Sequence, residues 1–163
     1  MLHIILYHAL PAPLHRLALR LAHALRICWW RLHRPLLMGC RVLAVNPLGQ
    51  VLLVRHSYGS PHWTLPGGGL ARGETPIAAA TRELSEETAC TLSDAVQVVV
   101  TRGIWHGATN VVHVIAGRTS DTPRPDGRET VAARWFALAD LPVDIDRNLA
   151  ANLPEWLSIL ASE

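Results

Sequence analysis

Three glutamates, Glu83, Glu86 and Glu87, are spaced at i, i+3 and i+4 within a segment that favours an α-helix. At this spacing the three carboxylates lie on one face of the helix. Like charges this close repel each other by a few tenths of a kcal/mol per pair, and Arg82 is the basic residue directly beside them. The cluster becomes favourable when a hard dication binds among the oxygens, as Mg²⁺ does. The trio therefore predicts a metal site, with a solvated acidic face as the alternative.

A run of three glycines, 67–69, lies upstream of the glutamates. Glycine has no Cβ, so its backbone can adopt strained turns and approach a ligand closely. Glu74 follows the glycines, and we expect it to bind metal or substrate, or to interact with the N-terminal dipole of the next helix. A glycine loop that leads into an acidic helix is suited to holding cations beside a phosphate chain.

The remaining elements must position this loop and helix. Pro76 in the first turn and Thr75 as N-cap predict a helix over 76–88. The C-terminal segment from Asp146 has helical composition, and Pro154 predicts an interruption or restart there. Strands mixed with helices indicate an α/β domain with a mixed sheet. Hydrophobic runs predict these strands at 39–46, 51–55, 96–105, 110–117 and 133–138, with a polar loop at 118–130.

A basic N-terminal arm, residues 1–38, precedes the domain, which we place at 39–163. Residues 1–41 contain six arginines and no acid, whereas the remainder has nine arginines and thirteen acids. The spacing of leucines and basic residues predicts an amphipathic helix over 14–34. We weigh three roles for it: packing on the domain or on a second copy in a homodimer, lying on an anionic membrane surface with Trp29 and Trp30 at the interface, and attracting nucleic acid, which is least favoured.

Length and composition exclude several classes of protein. The chain has 163 residues, of which half are hydrophobic and 17% are charged, so it predicts one domain with its own core rather than a disordered protein. No apolar run is long enough to span a bilayer, and the first dozen residues lack the basic region of a secretion signal. Cys28, Cys40 and Cys90 form no CxxC, which favours reduced thiols in a cytoplasmic protein.

From Gly68 to Cys90 the chain resembles the signature of the Nudix hydrolases. That signature is Gly, five residues, Glu, seven residues, then Arg-Glu-apolar-x-Glu-Glu-x-Gly-apolar, and its final glycine is Ala89 here. The phrases LLVRH, WTLPGGG and RWFALADLP extend the resemblance over about residues 39–142. It implies a Nudix fold, a mixed sheet between helices, with the amphipathic N-terminal helix as an addition. The matching positions are Gly68, Glu74, Arg82, Glu83, Leu84, Glu86 and Glu87.

The resemblance implies hydrolysis of a nucleoside diphosphate linked to a moiety X, by attack of water on phosphorus. It makes Arg82 the residue that orients the carboxylates. Small-molecule nucleotides are the expected substrates, and nucleoside triphosphates, nucleotide sugars and capped or oxidised nucleotides all stay open. The alternatives are a non-catalytic nucleotide-binding or sensor module and a pyrophosphohydrolase associated with a membrane surface. The implied ligands of Mg²⁺ or Mn²⁺ are Glu83, Glu86, Glu87 and the carbonyl of Gly67.

Roles in catalysis and substrate binding follow from the same resemblance. Glu86 is the first candidate for the general base and Glu129, in a loop outside the signature, is the second. Arg55, at the end of the second strand, is expected to contact a phosphate, with an ordinary surface arginine as the alternative. Tyr58 and Trp105 are candidates for stacking on a base, whereas Trp63 is expected to pack beside the loop. The expected substrate contacts are Arg55, Tyr58, Gly68 and Glu74.

Overall fold

The computed structural model describes the backbone of residues 12–162 and the side chains of residues 18, 19 and 21–162. The first eleven residues, in which we expected no secretion signal, lie outside this range. The described chain contains three α-helices: α1 (Ala12–His33), α2 (Pro76–Thr88) and α3 (Arg147–Ser162). Its strands are β1 (Leu36–Val45), β2 (Val51–His56), β3 (Ser93–Trp105), β4 (Ala108–Arg118) and β5 (Thr130–Phe136), and a 3₁₀ turn covers Leu138–Asp140.

The strands form one mixed sheet in the order β3-β4-β1-β2-β5. β1 and β4 are parallel, and the other neighbouring pairs are antiparallel. A tight turn joins β1 to β2, because the side-chain oxygen of Asn46 accepts hydrogen bonds from the backbone N–H groups of Leu48 and Gln50. The parallel pair needs a long connection, which contains the glycine loop and α2. This arrangement confirms the predicted α/β fold.

A hydrophobic layer covers each face of the sheet. Side chains alternate between the two faces along a strand, so successive residues of β1 enter different layers. The layer under α2 contains Val42, Ala44, Leu52, Ala79, Ala80, Leu84 and Ile115. The layer under α3 contains Leu43, Val45, Leu53, Trp63, Val114, Leu149, Leu153 and Leu160. The sheet is therefore sandwiched between α2 and α3, and the acidic helix lies on a packed base.

Strand bounds differ from the prediction where pairing, rather than burial, decides them. β1 begins at Leu36, three residues before the predicted start, because Leu36 pairs with Thr109 of β4 although its side chain is exposed. β5 spans 130–136 instead of 133–138, since it is aligned on β2 from Thr130 opposite His56 to Phe136 opposite Val51. Pairing between strands that are distant in sequence sets these bounds, and a local hydrophobic pattern does not reveal such pairing.

The predicted interruption at Pro154 is wrong, because α3 runs unbroken through this residue. An interior proline removes one backbone hydrogen bond and crowds the preceding turn, at a cost of about 3 kcal/mol. Leu149, Leu153 and Leu160 are buried against the sheet, and each such leucine contributes about 1.5–3 kcal/mol. Packing of the three leucines therefore exceeds the cost of the proline.

Helix α2 begins and ends where the sequence predicts. The hydroxyl of Thr75 accepts a hydrogen bond from the N–H of Ala78 at 3.2 Å, and Pro76 is the first helical residue. At the other end Ala89 adopts the left-handed conformation (φ 56°, ψ 22°), and its N–H donates to the carbonyl of Ser85 at 2.9 Å. Glycine adopts this conformation without strain, whereas alanine pays about 1 kcal/mol for it.

We therefore expect Ala89→Gly to raise the free energy of unfolding by up to about 1 kcal/mol, because it relieves this strain. The matched control is Ala78→Gly, an exposed position in the first turn of the same helix, which should lower stability by about 0.5–1 kcal/mol. Urea denaturation of the three proteins measures the difference. A loss of stability in Ala89→Gly would contradict the strain at the helix end.

The predicted N-terminal helix is confirmed as α1, which begins at Ala12. Its inner side contacts the domain: Trp30 is buried, its ring 5.3 Å from that of Trp105 on the β3–β4 hairpin, and the ring of His23 is 5.3 Å from that of Tyr58. The opposite side of the helix carries exposed leucines. Of the predicted roles of the arm, contact with its own domain is thus observed.

The sequence indicates neither a disulfide framework nor a transmembrane helix. Cys28, Cys40 and Cys90 are all free thiols, as predicted, and the latter two are buried. None of the helices in the described chain has the length and apolar character that crossing a membrane requires.

Candidate active site

The glycine loop is held between β1 and β2. These strands pair directly only at Val45 and Val51, and the loop fills the gap where they diverge. The N–H of Cys40 donates to the carbonyl of Gly68 at 2.9 Å, and the N–H of Val42 donates to that of Pro66 at 2.8 Å. The loop is therefore hydrogen-bonded to β1 much as an additional strand would be.

Gly67 connects this loop to the acidic helix. Its N–H donates to Oε2 of Glu87 at 3.1 Å, and its carbonyl accepts a hydrogen bond from Nη1 of Arg41 at 3.2 Å. Its φ of 143° and its close approach to the backbone of Cys40 leave no space for a Cβ. A glycine is required here, since any side chain would overlap the carbonyl oxygen of Cys40.

Arg82 binds three carboxylates at once. It donates two hydrogen bonds of 2.9 Å to Glu74, one of 2.8 Å to Glu83 and one of 3.2 Å to Glu86. A fifth hydrogen bond, to the carbonyl of Gly69, fixes the guanidinium against the loop. Arg82 thus contacts all three carboxylates, and the orienting role that the resemblance implies stays a prediction.

Glu74 lies behind Arg82 and contacts the loop. One of its oxygens also accepts a hydrogen bond from the N–H of Ala71 at 2.8 Å. The hydrogen bonds from Arg82, followed by that from Ala71, lower the pKa of Glu74 to about 2. Glu74 therefore stays ionised and holds the arginine in place, and a direct contact with substrate stays a prediction.

Glu83 lies against the glycine loop, where Gly68 leaves space for its carboxylate. A Cβ on residue 68 would be 2.6 Å from Cδ of Glu83, which is closer than real contacts allow. Burial raises the pKa of Glu83, and the hydrogen bond from Arg82 opposes this. The loop thus forms a cradle for one of the three carboxylates.

Glu87 is the buried member of the trio, with 6% of the residue exposed. Burial raises its pKa to about 8, against the hydrogen bond from the N–H of Gly67. Nδ1 of His56 is 3.8 Å from Oε1 of Glu87, but burial lowers the pKa of His56 to about 4, so the imidazole is neutral at pH 7. The charge of Arg41 also acts to lower the pKa of Glu87, but among the described residues no arginine forms an ion pair with this carboxylate.

These pKa shifts predict how stability depends on pH in chelator. Between pH 4.5 and 8 folded Glu87 keeps a proton that the unfolded chain has lost, so stability falls as pH rises. His56, neutral when folded, has the opposite effect up to about pH 6.5. We expect the Tm of the metal-free protein to fall from pH 6.5 to 8, and Glu87→Gln to flatten this fall. Parallel pH profiles for the two proteins would contradict the assignment.

The three carboxylates do not converge on a single point. Among the described residues, no three histidine, cysteine or acidic side chains converge closely enough to hold a metal. The reason is that Glu83 and Glu86 both turn toward Nη1 of Arg82. Pairing with the arginine relieves the repulsion between these two carboxylates.

Glu129, the second candidate for the base, lies beside the same cluster. Burial is the main cause that raises the pKa of Glu83 and of Glu87, and the negative charge of Glu129 makes a smaller contribution in the same direction. It accepts a hydrogen bond from the hydroxyl of Tyr58, whose pKa is raised by burial and by this carboxylate. The structure thus brings Tyr58 and Glu129 to the site together.

Arg55 points to the other face of the sheet. Its guanidinium forms an ion pair with Asp144 and lies 4.8 Å above the ring of Trp63. Trp63 is buried and packs edge-on against Phe136, in line with the predicted packing role. Arg55 is thus engaged in the layer under α3, whereas Glu87 lies on the side of α2, and its contact with a phosphate stays a prediction.

Sequence reasoning missed two residues of the site, Arg41 and His56. Arg41 stands within the otherwise apolar run of β1 and donates to the carbonyls of Leu65 and Gly67. A charged residue in a central strand is the signal that could have identified it. His56 lies on the same face of β2 as Leu52, the face covered by α2, and its Nδ1 is 3.8 Å from Oε1 of Glu87. No motif in the sequence indicates this proximity.

A pocket of about 300 Å³ opens beside Arg41, over the outer strands of the sheet. Trp105 lines it, as does Asn110, whose side chain offers both a donor and an acceptor. An aromatic face beside an amide suits a planar, polar ring. Its other lining residues include Thr101, Gly103 and Val112.

Comparison with known proteins identifies the family. Residues 36–157 match the model of the NUDIX domain. The chain is 31% identical over 122 residues to an RNA pyrophosphohydrolase of Rhodospirillum rubrum, covering 75% of this chain and 69% of that protein. It is also 31% identical to a putative 8-oxo-dGTP diphosphatase of Bacillus subtilis, covering 64% of this chain and 69% of the relative.

Solved structures agree with this match. A MutT NUDIX hydrolase from Burkholderia pseudomallei superposes with a TM-score of 0.65 at 29% identity, covering 73% of this chain and 96% of that one. The fold and the acidic helix thus define a hydrolase of phosphorus-containing anhydrides. The chain belongs to the Nudix hydrolase family.

Proposed function

We propose that this protein is a divalent-cation-dependent pyrophosphohydrolase that cleaves a diphosphate linkage in a small nucleotide. The burial of Glu87 beside the glycine loop carries the proposal, because this carboxylate has no arginine or lysine within ion-pair distance among the described residues. A solvated acidic face would leave Glu87 in water. The complete acidic set also favours an enzyme over a non-catalytic binding module.

The residues present fit a hard cation. Glu83, Glu86, Glu87 and the carbonyl of Gly67 offer only oxygen ligands, the set that Mg²⁺ and Mn²⁺ prefer. The cradle at Gly68 and the buried carboxylate of Glu87 both favour a positive ion between loop and helix. When bound, such ions neutralise charge on phosphate oxygens and lower the pKa of a coordinated water.

The protein's own groups then handle the proton and the substrate. Glu86 has 61% of its side chain exposed, so water can reach it, and it stays our first candidate for the base. Glu129, fixed by Tyr58, stays the second. Arg82, held from behind by Glu74, positions two of the carboxylates.

The pocket beside Arg41 is where we place the nucleoside. Trp105 would stack on the base, and Asn110 would hydrogen-bond the edge of the base. Arg41 links this pocket to the carbonyl of Gly67 and hence to the reacting phosphates. Nucleoside triphosphates and capped or oxidised nucleotides fit such a site, and the free thiols favour a cytoplasmic location.

A substrate panel tests the proposal. The purified full-length protein is incubated with Mg²⁺ and with nucleoside triphosphates, nucleotide sugars, oxidised nucleotides and 5′-triphosphorylated RNA, and the phosphate products are identified by ³¹P NMR. Reaction in ¹⁸O-labelled water shows which phosphorus is attacked. We expect turnover of at least one class, abolished by chelator. Binding of a nucleotide without any product would overturn the proposal in favour of a sensor module.

A further inference from the structure

Helix α1 has two apolar faces, and only one of them is covered. Partly or fully buried residues on the inner face recur at helical spacing: Leu19, His23, Ile27 and Trp30. Of these, His23 and Trp30 contact Tyr58 and Trp105 of the domain. The outer face consists of Leu21, Leu25, Trp29 and Leu32, which are between 50% and 78% exposed. We call these four residues the outer strip. A surface helix normally leaves a polar face to water, so an apolar outer strip indicates a missing partner.

Neighbouring residues extend the outer strip. The β3–β4 hairpin lies against the end of α1, since a Cβ on Gly107 would be 3.3 Å from Cα of Arg31. This hairpin exposes Ile104, and β1 exposes Leu36 just after the helix. Isolated exposed leucines need no explanation, but a row of this length at one edge of the molecule does.

Charge decides what kind of partner fits. Arg26 and Arg31 are both exposed. A helix turns by about 100° per residue, so the two arginines lie on opposite sides of the outer strip, each rotated by roughly 110° about the helix axis from its centre. Residues 1–41 contain no acid that could pair with them. A second copy docked through this face would bring arginine beside arginine, which is unfavourable.

We propose that the outer strip of α1 docks on an anionic lipid surface. Leucines and tryptophan would enter the interface between headgroups and acyl chains, while the flanking arginines would contact lipid phosphates. This arrangement needs a helix lying in the membrane plane with the domain on its far side. The inner contacts of Trp30 and His23 provide that orientation. The proposal is independent of the hydrolytic activity.

Vesicle flotation of the full chain tests it. We expect binding to vesicles that mix phosphatidylcholine with phosphatidylglycerol and little binding to phosphatidylcholine alone. The double variant Leu25→Gln/Trp29→Gln should lose at least about tenfold in partition coefficient, and Arg26→Gln/Arg31→Gln roughly fivefold per arginine at low salt. The matched control is Leu48→Gln, because Leu48 is 81% exposed but lies in the β1–β2 turn. It should bind like the parent.

Circular dichroism and thermal melts establish that each variant is folded. Equal binding to neutral and anionic vesicles, absence of binding, or binding that survives both double variants would each overturn the proposal. Sedimentation velocity distinguishes the rival occupant. A dimer that Leu25→Gln/Trp29→Gln dissociates, in a protein that does not bind vesicles, would assign the outer strip to a second copy.

Discussion

Glutamine in place of Glu86 or of Glu87 should lower the rate of hydrolysis by orders of magnitude and leave the fold intact. Each change removes one negative charge that the proposed cations need, while the shape of the side chain is nearly kept. For Glu87 a second effect separates chemistry from folding. Its burial penalises the charged form, so Glu87→Gln should be at least as stable as the parent above pH 6.5 in chelator.

The rate is measured as kcat/KM at saturating Mg²⁺ on whichever nucleotide the panel identifies. Glu155→Gln is the matched control, because Glu155 is an exposed glutamate on α3, and its activity should be unchanged. Affinity for Mn²⁺, followed by electron paramagnetic resonance, should fall in both site variants. Equal activity of Glu87→Gln and the parent would refute the proposed ligand role.

Alanine substitutions at the three glycines of the loop should have different effects. Gly68→Ala should lower activity strongly, second only to the glutamine variants of the glutamates. In Gly68→Ala the new methyl group would meet the carboxylate of Glu83, with Cδ at 2.6 Å. That carboxylate is the end of a flexible side chain, so it can move, but only away from its place beside Arg82. We expect a folded protein with stability within about 1 kcal/mol of the parent and activity reduced at least tenfold.

The two neighbouring glycines are the controls. A Cβ on Gly69 has its nearest neighbour at 3.9 Å, so Gly69→Ala should keep both activity and stability. Gly67→Ala would push its Cβ into the backbone of Cys40 at a φ of 143°, so it should unfold the protein or cost more than about 3 kcal/mol. If Gly68→Ala were as active as Gly69→Ala, activity would not depend on the position of the Glu83 carboxylate beside Gly68.

Local signals predicted the parts of the fold that depend on a few adjacent residues. The cap at Thr75 and the proline at 76 define the start of α2, and both act within one turn. The continuation of α3 through Pro154 depends instead on leucines that meet a distant sheet, so the local rule for proline failed there. The first residues of β1 and of β5 depend instead on pairing with β4 and β2.

The same distinction holds in the candidate site. The spacing of the glutamates on α2 is a helical property, so their shared face could be predicted from it. The contacts of Arg82 with Glu83 and Glu86 are expected only from the resemblance to the Nudix signature. Tyr58 and Glu129 are far apart in sequence, and only the fold shows that they are hydrogen-bonded. The contacts of Arg55 with Asp144 and Trp63 likewise depend on a loop that carries no pattern of its own.

The helix α1 has a practical consequence for how the protein is produced. A shortened chain limited to the family match, residues 36–157, lacks α1. It would therefore lose the ring contacts of His23 with Tyr58 and of Trp30 with Trp105. It would also cut α3 before Leu160, a buried residue of the core. Assays on such a fragment would measure a protein with a shortened C-terminal helix, in which Tyr58 and Trp105 have lost their aromatic contacts with α1. Substrate screening therefore calls for both termini to be retained.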